Sequence, residues 1–225
     1  MSSDEFLRKV LGIGGKNSDP ELPEGWDTTK IKFVLDDMVA GGTPTTSNDE
    51  YWAEDSEGIP WVKISDITAQ ERISKTDEQV TTEGVEEANL TIHPPGTLLV
   101  SMYASLGATS VLDISAATNQ AILALYPKEN VIRLKFLQMY IKAIQPYLHS
   151  LSMSNTQDNL SATAVGNIPI VLPPITDQKA IEKEYSEKSD AIKKAEERLD
   201  NLSRLLNTYE KTIVADAVTG ELNED

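Results

Sequence analysis

The stretch IPIVLPPITDQKAI, residues 168–181, decides how the chain divides. Its opening residues IPIVL read as a strand, and Pro173-Pro174 halts it, because proline has no N–H to give to a ladder. From Thr176 to Val218 there is then neither proline nor glycine. Thr176 is expected to cap a helix there, with Asp177 near its positive end. Apolar positions follow in alternating steps of four and three: Ile181, Tyr185, Ile192, Ala195, Leu199, Leu202, Leu206, Tyr209 and Ile213, with Lys188 the single polar member. That spacing is a heptad seam, and so narrow a stripe is buried by a partner helix. At ~1.5 Å per residue the seam from Ile181 to Ile213 is about 50 Å long. The chain offers no second long helix, so the partner is expected from a second copy; the alternative is a helix folded back on its own domain. Lys188 would set register in the pair at some cost in stability.

Ahead of Pro174 the texture is mixed. Short β-branched runs predict strands at 29–35, 59–64, 97–102, 109–112, 121–125 and 168–172, separated by Gly, Pro, Asn and Asp punctuation. One helix is expected over Arg133–Gln145, with Leu134, Leu137, Tyr140, Ile141 and Ile144 on one face and Pro146 ending it. The Ser- and Asn-rich stretch 147–164 reads as a polar loop. Four segments result: a short helix (2–11) and linker within 1–21, a globular α+β domain with a sheet and few helices over 22–175, the long helix over 176–217, and a tail over 218–225.

Composition narrows the function. With no cysteine, disulfides and Cys-ligated zinc are excluded. His93 and His149 are far apart, lack metal-site spacing and read as turn or surface residues. No metal site is expected. The run GIGGKNS (12–18) fails as a phosphate loop: Val10 stands where the first Gly is needed, and Asn17 where Ser or Thr is needed. No run of apolar residues is long enough to span a bilayer, and the acids at the N-terminus do not fit a secretory signal, so a soluble, cytoplasmic chain is expected. Thirty-six acids against twenty bases give −16, spread over every segment, which argues against a general nucleic-acid sponge. No Ser/His/Asp set is apparent, so no catalysis is expected.

Several short motifs occur in one order: LPEGW (22–26), GGTP (41–44) followed by Tyr51-Trp52, GIPWVKISDI (58–67), PGTLLVS (95–101), TNQA (118–121), NLSATAVGNIPIVLPPITDQKAI (159–181) and VTGEL (218–222). In that order they resemble the specificity subunit of type I restriction–modification enzymes. The resemblance implies a target-recognition domain with a mainly antiparallel sheet, followed by one long coiled-coil helix acting as spacer. Family members run domain–helix–domain–helix, whereas this chain has one of each and no internal repeat. It is similar to a half-length subunit. Two copies about a two-fold axis would rebuild the arrangement and read a split, palindromic target, with a rod comparable to roughly 15 base pairs at ~3.4 Å each. The implied partners are double-stranded DNA, methyltransferase subunits and, in the family, a restriction (motor) subunit. S-adenosylmethionine and ATP are expected only on those partners, and no cofactor here.

Base reading needs side chains that present donors and acceptors. The candidates are Thr45, Thr46, Ser47 and Asn48 in one loop; Lys63 and Ser65, expected on one strand face with Trp61; Ser101, Tyr103 and Ser105; and Ser154, Asn155 and Gln157. Arg72 and Lys75 are the expected phosphate contacts. Asn119-Gln120 is a further polar turn. Gly41, Gly42, Trp52 and Trp61 read as structural. Two other functions fit the acidity: a coiled-coil protein adaptor with no DNA role, and an acidic decoy mimicking DNA. The mixing of acids with lysines in EKEYSEKSDAIKKAEER (182–198) speaks against the decoy.

Overall fold

A computed structural model of the chain describes residues 22–54, 57–153 and 160–219. It divides into two compact units, the first ending at Lys179 and the second beginning at Ala180. The first unit starts with β1 (Asp27–Lys30), a 3-10 turn (Ile31–Phe33), β2 (Leu35–Ala40) and a second 3-10 turn (Asp49–Tyr51). There follow β3 (Ile59–Val62), α1 (Ile64–Ala69), β4 (Arg72–Ile73), β5 (Glu78–Val80) and α2 (Thr82–Glu87). Next come β6 (Leu98–Ser101), β7 (Thr109–Leu112), β8 (Ala117–Thr118) and β9 (Ile122–Pro127). The unit ends with α3 (Leu134–Ala143), α4 (Gln145–Met153), α5 (Ala162–Gly166) and β10 (Pro169–Leu172), after which α6 runs Ile175–Thr219. This is the expected α+β class, with mainly antiparallel pairing and one long C-terminal helix.

The core is a five-stranded sheet in the order β2-β9-β6-β7-β4, antiparallel except for β4 beside β7. Its middle strands read LLVS and ILALYP rather than alternating, because both faces are covered. On one face Leu99, Ile122 and Ala124 pack with Val62, Ile67, Ile73 and Leu112. Leu98, Leu123 and Leu125 are also fully buried, as are Leu137 and Ile141 of α3. A three-stranded sheet, β5-β3-β8, carries Trp61 with its ring edge-on to Trp52 at 5.0 Å.

The ends of the first unit are sewn together. β1 pairs antiparallel with β10, placing Asp27 opposite Leu172. Gly25 takes a left-handed φ of 80°, and the indole N–H of Trp26 donates to Asp177 Oδ2 at 2.9 Å. Gln178 is fully buried; its amide donates to Val131 O (3.0 Å) and Pro173 O (2.8 Å) and accepts from Arg133 N (2.8 Å). LPEGW and ITDQKAI are thus two halves of one closure, which holds the first turn of α6.

Several sequence expectations are corrected. The expected strand 29–35 breaks at the 3-10 turn, because Ile31, Val34 and Leu35 are the buried positions, and a spacing of three and four suits a turn, not a strand. β3 stops at Val62, so Lys63 and Ser65 share no strand face with Trp61. The Asp66 carboxylate accepts from Lys63 N at 2.8 Å and caps α1, which contains Ser65. Pro146 opens α4 rather than closing a segment, since a missing N–H is harmless in a first turn. Much of the expected loop 147–164 is therefore helical, in α4 and α5. α6 begins one residue before Thr176, with Pro174 O accepting from Asp177 N and Gln178 N, so Thr176 is not its cap. His93 is not a surface residue. It is buried, its Nδ1 lies 2.5 Å from Tyr126 Oη, and burial pushes its pKa down. The expected helix 2–11 and its linker lie outside the described residues, as does the tail from 220.

Candidate functional site

Four neighbouring strands of the main sheet end at one edge, and most of the candidate readers hang from it. β2 leaves that edge at Gly41, β9 enters it after Asn119-Gln120, β6 leaves it at Met102 and β7 enters it at Thr109. Backbone bonds tie the connections together: Gly41 N to Ile122 O (3.0 Å), Gly42 N to Thr118 O (2.9 Å), Met102 N to Ala121 O (2.8 Å) and Leu160 N to Met102 O (3.0 Å). GGTP and TNQA, 77 residues apart at Thr43 and Gln120, are joined by a hydrogen bond from Thr43 Oγ1 to Gln120 Oε1. Gly41 and Gly42 do not have the left-handed φ expected for such glycines. Gly41 is required by crowding, since a Cβ there would lie 2.2 Å from Thr118 O. The indole of Trp61 supports the loop from beneath by donating to Gly42 O at 3.1 Å.

On this edge Thr45, Thr46 and Ser47 are exposed and Asn48 half-buried. The Thr45 backbone N–H and hydroxyl donate to the Glu87 carboxylate at 3.2 and 2.8 Å, and Asn48 Oδ1 accepts from Glu50 N, so the loop is held at both ends. Tyr103 is 48 % exposed beside Ala104, whose φ of 56° is unusual for a residue with a Cβ. Ser105 is half-buried in the turn. Ser101 is corrected as a reader: it is buried, and its hydroxyl donates to Tyr103 O at 2.7 Å, which shapes the loop instead. Ser154, Asn155 and Gln157 lie outside the described residues, although Leu160, just after them, is bonded to this edge.

The cationic candidates are engaged elsewhere. Lys63 Nζ binds Glu78 at 2.5 Å, and that carboxylate raises its pKa. Arg72 Nε donates to both Asp113 oxygens at 2.9 and 3.1 Å, holding the Asp113 pKa below the usual carboxylate range. This pair sits past the far end of β7, away from the loop edge. Lys75 is exposed beyond β4. Among the described residues the gathered edge presents hydroxyls, amides and a phenol, and Lys63, which follows Val62 where its carbonyl accepts from Asn119 N, is tied to Glu78, an arrangement suited to hydrogen-bond readout rather than to gripping charge. The opposite end of the sheet carries an open cleft of about 1020 Å³ with Pro94, Thr97, Tyr126 and Asn130 among its lining. Among the described residues no group of His, Asp and Glu could hold a metal ion, and no helix is long and apolar enough to cross a membrane.

In α6 the seam side chains are exposed within the chain: Leu199 is 65 % accessible and Leu206 54 %, with Tyr185, Ile192, Leu202, Tyr209 and Ile213 also exposed. Lys188 is paired along the helix with Glu184 at 2.5 Å. Sequence reasoning missed Leu205, Val214 and Val218, which are equally exposed but fall outside the a/d steps. It also missed Trp26 and Gln178, because Asp177, Val131 and Arg133, which bond to them, lie more than 40 residues away in the chain.

Comparison with known proteins agrees with this geometry. A family model described as "Type I restriction modification DNA specificity domain" matches residues 23–202. The chain is 28 % identical over 188 residues to the type I restriction enzyme MjaIX specificity subunit of Methanocaldococcus jannaschii, covering 82 % of this chain and 43 % of that protein. A chain in a solved structure on complex assembly of the type I R-M system superposes with a TM-score of 0.74 at 20 % identity, over 95 % of this chain and 51 % of that one. The HsdS subunit from Thermoanaerobacter tengcongensis gives 0.59 at 20 % identity, over 85 % and 45 %. The chain thus spans about half the length of the relatives it matches. The family model covers residues 23–202, most of the chain, and the chain belongs to the type I restriction–modification DNA specificity family.

Proposed function

We propose that this chain is a non-catalytic DNA specificity subunit whose first unit reads one half-site of a split target. The observation that carries the proposal is the gathering of hydrogen-bonding side chains from three separate loops on one sheet edge: Thr45–Asn48, Tyr103 with Ser105, and Asn119-Gln120. Hydroxyl and amide groups of this kind pair with base edges in the major groove. The α6 seam then pairs with a second copy, so that two identical readers face a palindromic, interrupted sequence, and methyltransferase subunits dock on the pair. Methyl transfer and cleavage belong to those partners, together with S-adenosylmethionine and ATP.

The −16 charge fits a division of labour. Much DNA affinity comes from neutralised phosphates, and an acidic subunit supplies readout while the methyltransferase supplies most of the grip. The test is to map methylated positions genome-wide in cells carrying the chain with its methyltransferase, and in cells lacking it. A bipartite, palindromic motif that disappears on deletion, and changes when Thr45–Asn48 is replaced, supports the proposal. An unchanged methylome refutes it and leaves a protein adaptor.

A further inference from the structure

Beside the reading edge Lys63 is tied to Glu78, whereas three lysines without a carboxylate partner among the described residues gather elsewhere on the same unit. Lys30 ends β1, Lys32 lies in the 3-10 turn and Lys128 follows β9. Lys30 and Lys32 both donate to one neutral oxygen, Asn167 Oδ1, at 3.5 and 2.9 Å. The Lys32 ammonium also stands 5.1 Å from the ring centroid of Phe33, which is 59 % exposed, and Lys128 Nζ donates to Phe33 O at 3.2 Å. Lys63, Arg72 and Lys142 each pair with a carboxylate. Among the described residues Lys30, Lys32 and Lys128 have no such pair, in a chain with 36 acids and 20 bases. Exposed acids stand close in sequence, Asp27 on β1, Asp36 and Asp37 on β2 and Glu129 beside Lys128, but among the described residues none of them forms an ion pair with these three lysines.

We propose that Lys30, Lys32 and Lys128 contact the phosphate backbone of the duplex beside the half-site. This rests on the DNA-reading function proposed above. Two ammonium groups brought to one neutral amide oxygen lose freedom without a carboxylate partner, so an anion meets a preformed pair. Phe33 holds Lys32 through its ring face. The cluster lies one length of β2 from the GGTP loop, about 20 Å at ~3.3 Å per residue. That corresponds to phosphates about six base pairs away, outside the bases being read. Such contacts fix the domain on the duplex without carrying sequence information.

The test uses the complex of full chain and methyltransferase subunits, with a duplex carrying the motif mapped by methylation and a scrambled duplex. For the triple variant K30Q/K32Q/K128Q the slope of log K against log salt should fall by about 2.7, at ~0.9 per phosphate contact. The affinity lost between 50 and 200 mM salt then shrinks roughly 40-fold on the same rule. The preference for motif over scrambled duplex should be unchanged, and K30R/K32R/K128R should restore the slope. Trimming the flanking base pairs should make wild type behave like the triple variant. An unaltered slope, with wild-type preference for the motif intact, overturns the phosphate contact and leaves the reading function standing. Loss of methyltransferase association in the triple variant overturns it in favour of a protein-docking surface. A wild-type complex with no preference for the motif defeats the reading function, and this proposal with it.

Discussion

Replacing Gln178 with alanine removes three hydrogen bonds from the first turn of α6: those to Val131 O and Pro173 O, and that from Arg133 N. The bond to Pro173 O is fully buried, and the other two are partly buried. A made bond is worth a net ~0.5–1.5 kcal/mol, and a buried group left unpaired costs about 1–3 kcal/mol. Taking the upper range for Pro173 O and the lower for the other two gives a loss of about 3–4 kcal/mol. That is a large share of the ~5–15 kcal/mol that stabilises a typical domain. Urea unfolding of the full chain should show the midpoint falling at unchanged slope. Gln178→Glu makes the test sharper, because a carboxylate oxygen would face the two carbonyls that the amide N–H groups now serve. The folded-state pKa of that glutamate would rise above its ordinary ~4.3. Its deficit relative to wild type should therefore be small near pH 4, grow as pH rises towards the folded pKa, and level off above it. A loss below 1 kcal/mol for the alanine variant, together with a pH-independent glutamate variant, would refute the closure.

Four further outcomes are expected. L199D/L206D places unpaired charges in the α6 seam, and light scattering should show a dimer become a monomer or aggregate; a monomeric wild type at high concentration would refute the pairing itself. Gly41→Ala drives a Cβ into Thr118 O and Asn119 O and should lower stability by about 1–3 kcal/mol in thermal melts, with loss of motif-specific methylation. His93 has its pKa pushed down by burial, so it favours the fold above the ordinary ~6.5, and that contribution is lost as pH falls below it; an NMR titration should find the His93 imidazole protonating below that ordinary value. The isolated chain should bind duplex weakly and with strong salt dependence, tightening once methyltransferase subunits are added; tight specific binding by the chain alone in an anisotropy titration would contradict the division of labour.

What the sequence revealed followed from periodicity. The heptad steps of α6 and the apolar runs of β6, β7 and β9 are local signals, and the structure contains those elements. The misreadings came from tertiary partners that no local window contains. Ile31 still bonds to Ile168 O in register with β1, but the chain turns there, with Val34 N donating to Ile31 O, and buries Ile31 and Val34 together. Lys63 and Ser65 alternate with Trp61 on paper, but the strand ends at Val62 and Asp66 caps a helix that begins at once, with Lys63 at its N-cap and Ser65 inside it. Arg72 looks like a phosphate ligand until Asp113, 41 residues on, engages it bidentately. The lysine cluster was invisible for the same reason: Lys30 and Lys32 meet Asn167 only because β1 pairs with β10.

That last pairing bears on how an acidic protein can serve DNA recognition. A polar edge whose neighbouring Lys63 is tied to Glu78 would read hydrogen bonds without a competing, sequence-blind attraction at the same place. Cations set about one strand length away would add affinity equally to every sequence. Under that separation a mutation on the edge changes which bases are preferred at constant salt slope, whereas one in the lysine cluster changes the slope at constant preference. Overlapping functions would move both together. The two classes of variant, measured on the same complex, therefore report on whether the edge and the cluster act independently, and an edge variant such as Thr46→Ala that altered the salt slope would show that they do not.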